Sequence, residues 1–206
     1  MNLYVSVVKR IADLLVCVVL LPIFLLILIG VSLAIKLDDK GPIFYNAPRM
    51  GKNFIPFKMY KFRSMKVNAP DIRTEDGSTF NSANDPRLTR VGKFIRKTSL
   101  DETPQIINVL LGDMSVVGPR PDDLEEAKHY VGNESRKLEV LPGITGYAQA
   151  FFRNSIPWKE RIKHDIYYVD NISLELDAKI IAKTIVTVFR QDGVFVSEDH
   201  SDYPGK

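Results

Sequence analysis

From Leu14 to Ile35 the chain carries 22 consecutive residues without a charge. That is close to the length a helix needs to cross a hydrocarbon core of about 30 Å. The run is too long for the apolar core of a removable leader, and Lys36-Leu37-Asp38-Asp39-Lys40 follows it in place of a small-residue cleavage site. It therefore reads as a retained anchor. Pro22 divides it into pieces of about 8 and 14 residues, roughly 12 and 21 Å of helix, and the shorter piece cannot cross alone. Lys9 and Arg10 precede the run, while Lys36, Lys40, Arg49, Lys52, Lys58, Lys61, Arg63 and Lys66 follow it. Basic residues prefer the cytoplasmic side, and here both flanks are basic. Two topologies satisfy these constraints: a hairpin kinked at Pro22 that enters and leaves by one face, and a single span with Lys9 and Arg10 outside. Charge alone slightly favours the span, because the heavier basic flank fixes its orientation.

Without that segment, about 165 residues remain, enough for one compact domain. The net charge of +3 is modest, and the basic residues crowd between Lys36 and Lys97, where anionic lipid would attract them; this points to a membrane surface and away from nucleic acid. Cys17 is the single cysteine and lies inside the apolar run, so there is no disulfide framework or thiolate cluster. His129, His164 and His200 lack zinc-ligand spacing. G-x-G-x-x-G, G-x-x-x-x-G-K-[ST] and G-x-S-x-G are all absent, removing motif support for dinucleotide binding, P-loop hydrolysis and serine-hydrolase chemistry.

The fold class expected is α+β and mainly helical: a membrane anchor over 1–36, a cytoplasmic catalytic domain over 37–196 and a disordered tail over 197–206. Short extended segments are expected at Ile43–Tyr45 and Phe54–Phe62, forming a small antiparallel sheet. Lys66–Asp85 is polar and broken by Pro70 and Gly77, which predicts a mobile loop. Helices are expected at Arg87–Lys97, Thr103–Leu111, Asp122–Val131, Trp158–Val169 and Leu174–Arg190. In the first of these, Leu88, Val91, Phe94 and Ile95 oppose Arg90, Lys93, Arg96 and Lys97, the pattern of a helix in the lipid headgroup plane. A helix packed on a protein core would show a similar pattern. Asp177 reads as a helix-dipole residue.

The densest chemistry lies between Ser99 and Pro121, S-L-D-E-T-P-Q-I-I-N-V-L-L-G-D-M-S-V-V-G-P-R-P. Asp101 and Glu102 stand at the mouth of an apolar helix, whose unpaired N–H groups create a positive field. Ser99 with Glu102 fits a capping box, and Thr103 as N-cap with Pro104 at N1 is an equally good start. Arg120, stiffened by Pro119 and Pro121, presents a guanidinium fork suited to phosphate. A phosphate-handling enzyme of this composition would hold Mg²⁺ through isolated carboxylates plus substrate oxygens, with Asp101 the candidate ligand.

Taken together, these segments resemble the monotopic phosphoglycosyl transferases, also called bacterial sugar transferases. The resemblance covers nearly the whole chain. It rests on the proline-containing apolar segment, Tyr60-Lys61-Phe62-Arg63-Ser64-Met65, the Asp85–Arg96 stretch D-P-R-L-T-R-V-G-K-F-I-R, Ser99-Leu100-Asp101-Glu102, Gly112-Asp113-Met114-Ser115, Gly118-Pro119-Arg120-Pro121 and Pro142-Gly143-Ile144-Thr145-Gly146.

The resemblance implies transfer of a sugar-1-phosphate from a UDP-sugar to a polyprenyl phosphate, usually undecaprenyl phosphate, with release of UMP. The setting implied is the cytoplasmic face of a bacterial inner membrane. It implies Asp101 as nucleophile, forming a phosphoglycosyl intermediate and contacting Mg²⁺, with Glu102 positioning the metal or assisting proton handling. Lys61, Arg96, Arg120, Pro121 and Arg153 become the substrate-binding set. The implied anchor is a re-entrant helix broken at Pro22, which reverses the preference drawn from charge. Relatives often carry Ser before this proline, where this chain has Leu21, and the Phe151-Phe152 region varies among them. The implied partners are the UDP-sugar, the polyprenyl phosphate and membrane lipid; a homodimer is compatible with the same reading. The competing readings are a bitopic glycosyltransferase releasing UDP and a non-catalytic scaffold of a polysaccharide-assembly complex.

Overall fold

A computed structural model of the chain describes residues 4–72, 80, 82, 84–153 and 155–190. The expected tail at 197–206 and the centre of the expected loop at 66–85 lie outside the described residues. The architecture is mainly helical, with two small two-stranded sheets.

The apolar run forms helix α1, Lys9–Asp39, which continues through Pro22 without interruption as an element. Cys17, Phe24, Val31 and Ile35 recur at three- to four-residue multiples and face inward. The first two pack on Met59, Ile106, Val109 and Met114, and the last two on Phe62 and Ile95. The opposite face leaves Leu15, Val18, Val19, Leu26, Ile29 and Leu37 exposed. Both ends are tied to the rest of the protein. Arg10 donates to the Val109 carbonyl at 2.6 Å, and Asp13 Oδ1 accepts from Val116 N at 3.0 Å. At the far end Asp38 accepts from Val91 N at 3.0 Å and Asp39 pairs with Arg63.

Strands β1, Phe44–Met50, and β2, Pro56–Phe62, form an antiparallel hairpin with Phe44 opposite Phe62 and Met50 opposite Pro56. The first strand runs further than Ile43–Tyr45, through Pro48. A two-stranded sheet has only edges, so a missing N–H is tolerated there. Phe54 falls in the turn, where Asn53 and Phe54 adopt positive φ.

Helix α2 is Arg90–Lys97, three residues shorter than expected at its start, because Thr89 caps it by accepting from Gly92 N at 2.8 Å. Arg87 instead forms a buried ion pair with Asp85 at 2.7 Å and donates to the carbonyls of Pro70 and Phe80. Arg87 thereby contacts the described residues Pro70 and Phe80 of the expected loop. Gly92 lies directly on the Ser64 backbone, so that a Cβ there would fall 1.8 Å from the Ser64 carbonyl oxygen.

A single 3₁₀ turn, Leu100–Glu102, precedes helix α3, Gln105–Leu111. Neither expected N-cap operates. Ser99 is left-handed with no capping bond, Thr103 is helical, and Pro104 occupies the capping position. Buried Asn108 fixes α3 to β2, accepting from Tyr60 N at 2.9 Å and donating to the Lys58 carbonyl at 2.8 Å.

Sequence patterning missed a second sheet. Strand β3, Ser115–Val117, pairs in parallel with β4, Gly143–Thr145, so the sheet content is not only antiparallel. Three-residue strands carry too little periodicity to read, and a parallel pair needs a long crossover. That crossover contains helix α4, Leu124–Ala127, and a 3₁₀ segment, Glu134–Glu139. The expected helix Asp122–Val131 thus reduces to one turn, opened by an Asp123/Glu126 capping box.

Helices α5, Tyr147–Phe151, α6, Trp158–Asp170, and α7, Leu174–Arg190, complete the fold. Val117, Ala150, Tyr168 and Ile180 form their shared core. Asp177 does more than complement a helix dipole, since it accepts from Tyr4, Lys9 and Tyr168 at 2.6–2.7 Å and joins α7 to the start of α1.

Candidate active site

Five separated segments bring the expected residues to one cavity of about 430 Å³. Lys61 comes from β2, Arg96 from α2, Asp101 and Glu102 from the 3₁₀ turn, and Arg120 from the segment after β3; Arg153, just past α5, lines the same space. Pro121 is buried but does not line the cavity; it sits between Arg120 and Asp122, which do. The structure therefore gathers every expected site residue except Pro121.

Local packing explains how the two glycine-proline motifs cooperate. Gly118 N donates to the Thr145 carbonyl and Gly143 N to the Pro119 carbonyl, each at 2.9 Å. A Cβ on Gly118 would lie 2.4 Å from the Leu141 carbonyl oxygen, so only glycine permits this approach. The close pairing fixes the backbone from which Arg120 projects. Arg96 likewise belongs to the cavity and not to a solvent or headgroup face as its helix pattern predicted.

The adjacent carboxylates differ in their connections. Glu102 Oε1 receives Lys61 Nζ at 2.7 Å and Arg120 Nη2 at 3.1 Å. Burial pushes its pKa up, but the charges and hydrogen bonds of those two cations prevail and hold it below the usual carboxylate range. Asp101, only 8% exposed, forms no ion pair or side-chain hydrogen bond among the described residues. Burial, reinforced by repulsion from Glu102, raises its pKa to about 6 against the pull of Lys61, Arg96 and Arg120. Burial also lowers the Lys61 and Arg96 pKa values, and one Arg96 terminal nitrogen, Nη1, has no partner among the described residues. The site thus combines a tethered carboxylate, an open one and cations with bonding capacity left over, a surface suited to phosphate oxygens.

The same arrangement bears on Mg²⁺. Among the described residues no cluster of three or more His, Cys, Asp or Glu could form a cage for a metal. Asp101 contributes hard oxygens at the cavity wall, which fits an ion that retains water and takes its remaining ligands from a substrate. Asp101 is the residue that would hold it, and the chemistry it would supply there is charge neutralisation at phosphate oxygens.

Sequence reading missed the other half of the cavity, where Asp122, Lys137, Trp158, Arg161 and Asp165 form the wall. Lys137 Nζ lies 2.7 Å from Asp122 Oδ2 and 2.9 Å from Asp165 Oδ2, all three side chains being almost fully buried. Tyr130 OH donates to Asp122 at 2.6 Å. Burial raises the Asp165 pKa despite Lys137. Burial works against the charge on Lys137 as well, but its two carboxylates prevail and raise its pKa. A second, apolar groove lies between α1 and α2, lined by Ile27, Gly30, Val31, Phe94 and Ile95; Leu100 borders both it and the first cavity.

A family model described as bacterial sugar transferase matches residues 4–191. An uncharacterised sugar transferase of Haemophilus influenzae is 40% identical over 200 residues, covering 92% of this chain and 42% of that protein. The sugar transferase EpsL of Bacillus subtilis, also uncharacterised, is 39% identical over 188 residues, covering 91% of this chain and 90% of its own length. The undecaprenyl-phosphate galactose phosphotransferase of Salmonella typhimurium is 42% identical over 168 residues, or 76% of this chain and 35% of that protein. The chain thus spans less than half of the Haemophilus and Salmonella relatives and nearly all of EpsL. With these matches, the chain belongs to the bacterial sugar transferase family.

Proposed function

We propose that the chain transfers a sugar-1-phosphate from a UDP-sugar to a polyprenyl phosphate, releasing UMP, through a phosphoglycosyl-aspartate intermediate. The observation that carries this reading is the contrast between the two carboxylates: Glu102 is engaged by Lys61 and Arg120, whereas Asp101 keeps its oxygens for the cavity. A carboxylate oxygen of Asp101 attacks the sugar-bearing phosphorus, and the bond to the bridging oxygen breaks, leaving with UMP. An oxygen of the acceptor phosphate then attacks the same phosphorus and returns the carboxylate to Asp101. Splitting the displacement lets a water-soluble donor and a lipid acceptor use one site in turn. Lys61, Arg96 and Arg120 stabilise the charge that develops on the phosphoryl oxygens. Relatives named for undecaprenyl-phosphate sugar transfer support this substrate pair.

The apolar groove between α1 and α2 accommodates the polyprenyl chain, because its border at Leu100 brings a lipid headgroup beside Asp101. Attachment of both ends of α1 to the same domain supports a re-entrant anchor over a single span, with the domain on the cytoplasmic face of a bacterial inner membrane. The decisive experiment incubates the purified chain with Mg²⁺ and single UDP-sugars in the absence of acceptor. One donor is expected to release UMP in stoichiometric amount and add the mass of its sugar phosphate at Asp101. Release of UDP instead, with no adduct, would reject the covalent route.

A further inference from the structure

Beyond the phosphate-binding side of the cavity, the wall around Asp165 contains polar groups that the proposed chemistry does not use. Asp165 is 2% exposed and pairs with Lys137 through Oδ2 alone. Its Oδ1 has no hydrogen-bond partner among the described residues, and neither do Gln149 Oε1 and Arg161 Nε. All three side chains line the cavity that contains Asp101. Leaving buried acceptors and a cationic donor unmet is costly, so this wall is built for a ligand that supplies both donors and acceptors.

The chemistry narrows that ligand. A phosphate offers acceptors only and would be repelled by Asp165. A nucleobase calls for an aromatic platform, but the Trp158 ring already stacks on Tyr130 at 6.2 Å and carries the Lys159 ammonium at 4.7 Å. Ring hydroxyls donate and accept at once, and so can satisfy an open carboxylate oxygen beside a guanidinium N–H. We propose that Asp165, braced by Lys137, recognises a hydroxyl of the donor's sugar ring, with Arg161 and Gln149 as flanking donor and acceptor. This rests on the reading of the chain as a sugar-phosphate transferase and adds the group that selects the sugar. A pocket built to bond a hydroxyl rejects donors that lack it far more strongly than an apolar pocket rejects an added group.

The test compares wild type with Asp165→Asn, both as full chains, using a UDP-sugar the wild type accepts, its monodeoxy analogues, and UMP as product inhibitor. Asp165→Asn is expected to lower kcat/KM for the parent sugar about ten- to hundredfold while leaving inhibition by UMP unchanged. One monodeoxy donor, already poor for the wild type, is expected to lose nothing further in the variant. Equal losses on the parent and every monodeoxy donor, or a matching loss of UMP binding, would overturn the assignment. Should Asp165→Asn fail to fold, Arg161→Met replaces the neighbouring contact and faces the same criterion: sugar-dependent loss supports the assignment and uniform loss rejects it. A wild type that releases UMP from no UDP-sugar overturns both readings, whereas an active wild type with uniform losses overturns this one alone.

Discussion

At the scale of single residues, the adjacent carboxylates Asp101 and Glu102 stand in different surroundings, the one open to the cavity and the other held by Lys61 and Arg120. Asp101→Asn keeps the shape and removes the charge, so transfer is expected to fall by well over about a hundredfold, the loss typical of a supporting acid or base. Its stability is expected to move the other way. The Asp101 pKa lies at about 6, above its ordinary 3.8, so the folded chain holds a proton that the unfolded chain has released between those values. Stability contributed by the protonated form is therefore full below the ordinary pKa and lost as pH rises through about 6. In chelator at pH 8, Asp101→Asn is expected to be more stable than wild type by at most about 3 kcal/mol, and the advantage should vanish at about pH 3, below the ordinary carboxylate pKa. Thermal melts at both pH values check this; an advantage independent of pH would contradict the burial account. Lys61→Ala removes the closer of the two cations on Glu102, at 2.7 Å, and is expected to weaken all UDP-sugars by a similar factor in steady-state assays. These residues were legible because each sits in a short contiguous motif. Asp122, Lys137 and Asp165 were not, because they meet only after the crossover and α6 are folded, and a lone Asp or Lys in a helix gives no local sign of burial.

At the scale of elements, helices with strong apolar periodicity were legible and junctions were not. Leu174–Arg190 appears with the bounds read from its apolar stripe, and Trp158–Asp170 differs by one residue. The start of α2 was misplaced because a buried Arg87–Asp85 pair lies where the helix was expected to begin. The β3–β4 pair was invisible because its reason is the close approach of Gly118 and Gly143 and not an alternating pattern. Glycines therefore test these junctions. Gly92→Ala would drive a methyl into the Ser64 backbone, which cannot move without displacing α2 and its Arg96. A destabilisation of about 1–3 kcal/mol or more is expected, together with loss of activity. Gly30 in α1 has nothing within 4 Å of its would-be Cβ, so Gly30→Ala should be neutral or stabilising by up to about 1 kcal/mol. Denaturant melts of the two variants side by side check the contrast; equal effects would mean that helix propensity, not the approach to Ser64, governs Gly92.

At the scale of the whole molecule, the proposed reaction requires one chain to bring a soluble donor and a lipid acceptor to the same carboxylate. A straight helix of 31 residues would extend about 46 Å, and a spanning orientation would carry one end away from the domain. Here Arg10 and Asp13 bond to Val109 and Val116 while Asp38 and Asp39 bond to Val91 and Arg63. On the proposed re-entrant reading, the exposed apolar face of α1 would meet lipid while its ends stay with the rest of the domain. Flanking charge, which slightly favours the span, cannot register that Asp13 has a backbone partner far along the chain, the contact on which the re-entrant proposal rests. The prediction concerns single cysteines at Asn2 and Lys40 in a Cys17→Ala background, where Cys17 is itself buried. Both sites are expected to react with a membrane-impermeant thiol reagent only when it reaches the cytoplasmic face. Pro22→Ala restores a helix-compatible N–H to a 22-residue uncharged run of about 33 Å, long enough to span, while Asp13→Ala releases the bond to Val116. Combined, the two changes are expected to move the Asn2 site toward the outer face more than either alone, since one restores the helix hydrogen bond missing at Pro22 and the other frees the helix end. Labelling of Asn2 from outside in the otherwise unaltered chain would reject the re-entrant anchor and restore the single span.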